Sequence, residues 1–180
     1  ALIVLGAMAT IEGPMGMRDV PVAEFCVGPR RTVLQRGELL ASVRVPPPQP
    51  HSGSCYVRFT PRAEMDIAVA GAGAWVRLND WGTRIEEARI ALSAVAPTPL
   101  VVEAAEAILA GCKINAEGAT DTVISEAAHL AREAARPIAD VRGGVAQRQH
   151  LVEVLVKRAL RGAIQRAGAR LRAQGEPLHD

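Results

Sequence analysis

The chain has 180 residues, 49% hydrophobic and 22% charged, with 16 Gly and 12 Pro; a chain of this length buries about 70% of its unfolded surface, and this composition excludes extended disorder or a fibre. Five aromatic residues (Phe25, Tyr56, Phe59, Trp75, Trp81) are too few for the serial base-stacking platforms of single-strand nucleic-acid binders. The net charge of +2 is unevenly placed: residues 1–140 carry 13 basic and 16 acidic side chains, residues 141–180 carry 8 and 3, so an anionic partner would be sought at the tail.

The longest apolar run, Ala1–Ala9, is far short of the roughly 20 residues that span a bilayer, and it lacks a basic leader and a small-residue cleavage pattern. Neither a membrane span nor an export signal is expected. Cys26, Cys55 and Cys112 are widely spaced, with no CxxC pair and no Cys/His cluster. A disulfide framework and a zinc site are therefore not expected, and a reducing, cytoplasmic setting fits. Ala1 already sits inside an apolar, strand-like run with no cap before it, so the chain is expected to be the downstream piece of something longer.

Leu2–Ile11 reads as a strand, turned by Gly13, Pro14 and Gly16 into a second strand at Met17–Val20. Phe25–Arg36 reads as a basic loop, and Leu39–Val45 as a strand that stops at Pro46, Pro47, Pro48 and Pro50, since proline offers no ladder donor. That proline run marks the expected domain boundary, dividing the chain into 1–47 and 48–180. Beyond it Cys55–Phe59, Ile67–Leu78 and Ile85–Val95 read as three antiparallel strands, the last two joined at Asn79, Asp80, Trp81 and Gly82. Helical signals follow at Val101–Leu109, closed by Gly111, and at Asp121–Ala135, stopped by Pro137. Val145–Arg172 then sets Leu151, Leu155, Ala159 and Ala163 on one stripe, with Val152, Val156, Leu160, Ile164, Ala167 and Leu171 beside it, as one long amphipathic helix. Strands first and helices afterwards predict an α+β fold, a three-stranded antiparallel sheet on a layer of about three helices.

Ala70–Val76 contains GxG, but it continues as a strand into a hairpin rather than opening a helix, so the cradle for a dinucleotide pyrophosphate is absent and close strand packing is the expected role. His51, His129, His150 and His179 have no partner at ligand spacing, and neither a Gly-x-Ser-x-Gly elbow nor HExxH occurs, so hydrolase chemistry has no support. The basic residues of the last helix, Arg148 to Arg172, read as a solvated face complementing the helix dipole; RNA binding there would be steeply salt-dependent. In YVRFTPRAEMDI (Tyr56–Ile67), Arg58, Arg62, Glu64 and Asp66 cluster around Pro61 between two buried strands. The two arginines suit a phosphate or the electron-rich edge of a redox ring, with Glu64 and Asp66 fixing them or accepting a ligand hydrogen bond; a surface ion-pair network accounts for them equally well.

The strings Val27–Pro46, Tyr56–Gly73, Ala88–Leu100 and Pro137–Leu160 resemble the FAD-binding medium subunit of molybdenum hydroxylases, the group of bacterial carbon monoxide and xanthine dehydrogenases. The resemblance spans nearly the whole chain, in order. It implies that residues 1–47 end the second FAD subdomain and that 48–180 form the flavoprotein's C-terminal α+β domain. The glycine-rich loops that hold the FAD diphosphate in the family have no counterpart between Ala1 and Asp180. The resemblance also implies that Leu40 contacts the flavin, that Arg58 stands where relatives place a cation beside the isoalloxazine, and that Phe59–Val69 flanks the ring and affects acceptor access, with Arg62, Glu64 and Asp66 as further cofactor-binding candidates.

In such an assembly electrons pass from a molybdenum cofactor in a large subunit, through iron–sulfur clusters in a small subunit, to FAD and an external acceptor. The chain would then be an oxidoreductase subunit, inactive alone. The alternative is a stand-alone subunit-interaction module that binds no FAD.

Overall fold

A computed structural model describes residues 1–62, 66–114 and 119–175. The first six residues form a helical turn, closed by Gly6 N–H donating to Ile3 O at 2.9 Å and Ala7 N–H to Leu2 O at 3.1 Å. Gly6 takes a φ of +68°, a left-handed conformation that ends such a turn at no steric cost. The strand expected from Leu2 therefore begins only at Met8, because an uninterrupted apolar run does not distinguish a buried strand from a buried turn.

Strand β1 (Met8–Gly13) is central in an antiparallel sheet between β2 (Gly16–Pro21) and β5 (Leu39–Arg44). After β2 the chain makes one helical turn, α1 (Val22–Phe25), and the expected basic loop, Phe25–Arg36, forms a small hairpin of β3 (Cys26–Gly28) and β4 (Arg31–Thr32). The turn into β5 is pinned by charge. Glu38 accepts from Arg18 Nε at 2.9 Å, from Arg18 Nη2 at 2.8 Å and from Gln35 N–H at 2.7 Å. Those bonds, to Arg18 first, hold the Glu38 carboxyl down at about 2.

A carboxyl held low in the folded state stabilises it fully above its ordinary range near 4.5, and that contribution disappears as pH falls toward 2. Asp19, lowered by Thr10 Oγ1 and by Arg44, acts with the same sign. Urea unfolding followed between pH 5 and pH 2 is therefore expected to show stability falling with acid, with a shallower fall in Glu38→Gln; an identical slope in the variant would contradict the fork.

After the proline run, β6 (Ser52–Phe59), β7 (Ala70–Leu78) and β8 (Ile85–Ser93) pair antiparallel, and Leu100–Val101 add a short edge strand, β9, to the three long strands expected. The β7–β8 turn is closed by Asn79, whose Oδ1 accepts from Thr83 N–H at 2.9 Å and Arg84 N–H at 3.1 Å. Helices α2 (Glu103–Leu109), α3 (Ala119–Ala134) and α4 (Val145–Gly175) cover one face.

Period-two alternation sorts the strands cleanly. Cys55, Val57, Ala72, Ala74, Val76, Ile90 and Leu92 turn inward, against Val152, Val156, Ala159, Leu160 and Ala163 of α4. Helix α4 runs antiparallel to β6: Gly162 meets Cys55, and farther along α4 Ala163 and Ala167 meet Gly53, where a Cβ would overlap their backbone atoms. Glu106 of α2 joins helix to sheet by accepting Ile90 N–H at 2.8 Å, and partial burial pushes its carboxyl pKa up.

Candidate functional site

The other face of the β6–β8 sheet carries Ser54, Trp75 and Arg89 in one register row, Tyr56, Gly73 and Ala91 in the next, and Arg58, Gly71 and Ser93 at the end. The N-terminal turn covers the first two rows. Val4 packs with Trp75 and Ala91, all nearly fully buried, and a Cβ on Gly73 would stand 3.5 Å from Val4. Arg89 lies over the Trp75 ring, 4.5 Å from its centroid, and is held from the side by Glu87 at 2.6 Å. The third row lies beyond the N-terminal turn.

Arg58 is exposed in that row and forms no ion pair with any described residue. Beside it Tyr56 lies across the sheet to place its hydroxyl 3.2 Å from Ser93 Oγ. Gly71 makes that possible, since a Cβ there would sit 2.7 Å from the Tyr56 oxygen and closer still to Ser93 Oγ. The result is a Gly71 buried under the Tyr56 phenol, with two paired hydroxyls beside one exposed cation. Tyr56, Gly71 and Ser93 are not among the site residues expected from sequence, although alternation in YVRF already sets Tyr56 on the same face as Arg58.

The remaining candidates scatter. Leu40 is on β5 in the other sheet, opposite Ile11 and about two-fifths exposed, and it shares no bond with Arg58. Arg62 is exposed, and Asp66 caps its own neighbour by accepting Ile67 N–H at 2.8 Å. Glu64 lies outside the described residues. The structure thus does not draw Arg58, Arg62 and Asp66 into one ion-pair network. Of the histidines, His51 faces Asp80 at 3.3 Å and His129 faces Glu133 at 3.4 Å, both single contacts, while His179 lies outside the described residues.

Arg148 corrects the reading of the last helix. Far from solvated, it is 5% exposed and bonds to Val69 O at 2.9 Å, Ala94 O at 3.2 Å and Asp140 Oδ1 at 2.7 Å. Four of the other six make ties of their own: Arg166 donates to Ser54 O, Arg170 to Ser52 O, Lys157 pairs with Glu153 and Arg161 with Asp121. A sequence signal for Arg148 existed, because it stands four residues before Val152 and so extends the buried stripe backward.

The Arg58 cation at the end of the outer row suits a ligand edge that gathers negative charge. A glycine-rich loop opening onto a helix, which would hold a diphosphate, is absent among the described residues; Gly71 and Gly73 are both within β7. No helix of the described residues is long and apolar enough to cross a membrane.

Residues 55–163 match the family of the CO dehydrogenase flavoprotein C-terminal domain, and residues 1–48 match the FAD binding domain in molybdopterin dehydrogenase. The chain is 29% identical over 173 residues to the xanthine dehydrogenase FAD-binding subunit of Escherichia coli O157:H7, covering 94% of this chain and 56% of that one. It is 32% identical over 161 residues to the carbon monoxide dehydrogenase medium chain of Hydrogenophaga pseudoflava, covering 89% and 53%. The solved carbon monoxide dehydrogenase from Hydrogenophaga pseudoflava superposes with a TM-score of 0.83 at 34% identity, over 92% of this chain and 55% of that one. The chain thus spans about half the length of the curated relatives it matches.

Proposed function

Because the chain belongs to the family of FAD-binding medium subunits of molybdenum hydroxylases, with the CO dehydrogenase flavoprotein C-terminal fold, we propose that it is the part of such a subunit that borders and tunes the flavin. Residues 1–47 close the FAD-binding half and residues 48–180 form the C-terminal domain. The two sheets share no strand and are joined through the proline run, which supports that division, and Val4 of the first part packs on Trp75 and Ala91 of the second.

FAD, when bound, supplies the redox chemistry. The chain's own residues shape one wall of its site: Arg58 presents positive charge and Tyr56 and Ser93 present hydroxyls beside it, while Leu40, Arg62, Glu64 and Asp66 are further cofactor-binding candidates that rest on the family resemblance. A guanidinium beside the pyrimidine edge favours the anionic reduced ring over the neutral oxidised one, and so eases electron uptake. The observation that carries this reading is Arg58, an exposed cation with no ion-pair partner among the described residues, standing at the end of the outer row beyond the N-terminal turn and beside the Tyr56–Ser93 hydroxyl pair.

In the assembly an iron–sulfur small subunit delivers electrons that originate at the molybdenum cofactor of a large subunit, and an external acceptor removes them. Substrate oxidation takes place outside this chain, which is inactive alone. The direct test is the absorption spectrum of the purified full-length subunit. The visible absorption bands of a bound flavin are expected. A colourless protein that takes up no added FAD would favour a stand-alone interaction module instead.

A further inference from the structure

We propose that Arg148 is a positioning residue, which clamps the closing residue of the β6–β7 hairpin to the N-terminal end of α4 and thereby fixes where Arg58 stands. The inference rests on the reading that Arg58 borders the flavin, but its geometry stands apart from that reading.

Val69 is the hinge of the arrangement. Its N–H donates to Phe59 O at 2.9 Å, closing the hairpin one residue beyond Arg58, while its carbonyl accepts from Arg148 Nη1 at 2.9 Å. The same Nη1 reaches Ala94 O at 3.2 Å, in the turn after β8, where Ala94 takes a left-handed φ of +63°. Nη2 pairs with Asp140 Oδ1 at 2.7 Å. Asp140 is itself held by Arg142 N–H at 2.9 Å and by mutual backbone bonds with Gly143, just before α4 starts.

One side chain therefore ties together the entry to β7, the turn after β8, the loop before α4, and α4. The tie is nearly dry, with the Arg148 side chain 6% exposed. A buried guanidinium whose partners are two carbonyls and a carboxylate is costly to disturb, because removing any partner leaves desolvated charge. A planar fork serves three acceptors at fixed angles; a lysine ammonium keeps the charge without that geometry. The clamp also walls a cleft of about 360 Å³ with Ile67, Ala68, Pro97 and Ile138, so the end of the hairpin loop has room to shift if released.

The test uses Arg148→Lys, which retains the buried charge, in the full-length protein. Amide hydrogen exchange at Val69 is expected to rise about tenfold, with amides of Val156–Leu160 changed less than about twofold, since local openings report separately from global unfolding. Unchanged exchange at Val69, or an equal rise throughout α4, would overturn the clamp.

In FAD-loaded protein the same variant is expected to lower the flavin midpoint potential, and Arg58→Ala added to it to produce no further drop, because two residues acting through one contact are not additive. An unchanged potential, or fully additive drops, would overturn the positioning role. If the wild-type protein takes up no FAD, the flavin reading fails while the exchange result still decides the clamp. Should Arg148→Lys not fold, Asp140→Asn, which keeps an acceptor and removes the charge, is expected to raise Val69 exchange severalfold; no rise would overturn the proposal.

Discussion

Gly53→Ala is expected to cost about 3 kcal/mol or more and to lower the thermal midpoint by about 10 °C, the upper end of what overpacking does in a domain of this size. The reason is where the added methyl would go. A Cβ on Gly53 overlaps the carbonyl oxygen of Ala163 and the amide nitrogen of Ala167, which are backbone atoms of α4 and have no rotamer by which to move aside. The helix must lift from β6, and with it the contacts of Val156, Ala159 and Leu160 with the sheet. Gly144→Ala is the matched control, because open space surrounds its Cβ and its backbone needs no left-handed φ. Circular-dichroism melts of both variants check this. Equal midpoints for Gly53→Ala and the parent would contradict the seating of α4 on β6.

That seating shows how much of the fold could be read from the chain. The long strands and the helices were legible because period-two and period-3.6 patterns are set by burial of one face, and here each face is nearly pure: Cys55, Val57, Ala72 and Ala74 inward, Tyr56 and Arg58 outward. Rejection of GxG as a pyrophosphate loop was legible for the same reason, since Gly71 and Gly73 fall within β7. Elements without periodicity were harder. Leu2–Leu5 is apolar at every position, so composition could not separate the observed turn from a strand, and β9 is two residues long.

The site was legible to a lesser degree. Arg58 sits at a strand end among apolar neighbours, which marks it from sequence, but Tyr56, Gly71 and Ser93 join it only through cross-strand register, which no local pattern specifies. Arg148 was hidden among seven basic residues of α4, where charge alone says nothing of direction. The chain positions 79 residues apart that it joins, Val69 and Arg148, meet only through the tertiary fold.

Arg58→Ala is the second large effect expected, and it bears on the claim that a cation at the end of the outer sheet row eases electron uptake by the flavin. The oxidised ring is neutral and the reduced ring anionic, so a nearby positive charge stabilises the second more than the first. Removing it disfavours reduction and lowers the potential. Because Arg58 is exposed, its field is screened by water. A drop on the order of 20 mV is expected, given that about 30 mV corresponds to a factor of ten in a two-electron equilibrium. Arg58→Lys keeps the charge and is expected to restore most of the parental value.

The decisive measurement is a spectroelectrochemical titration of the FAD-loaded full-length subunit beside its Arg58→Ala and Arg58→Lys forms. A lowered midpoint in the alanine variant, recovered by lysine, is the expected result. An alanine variant with an unchanged or raised midpoint would contradict the role assigned to Arg58.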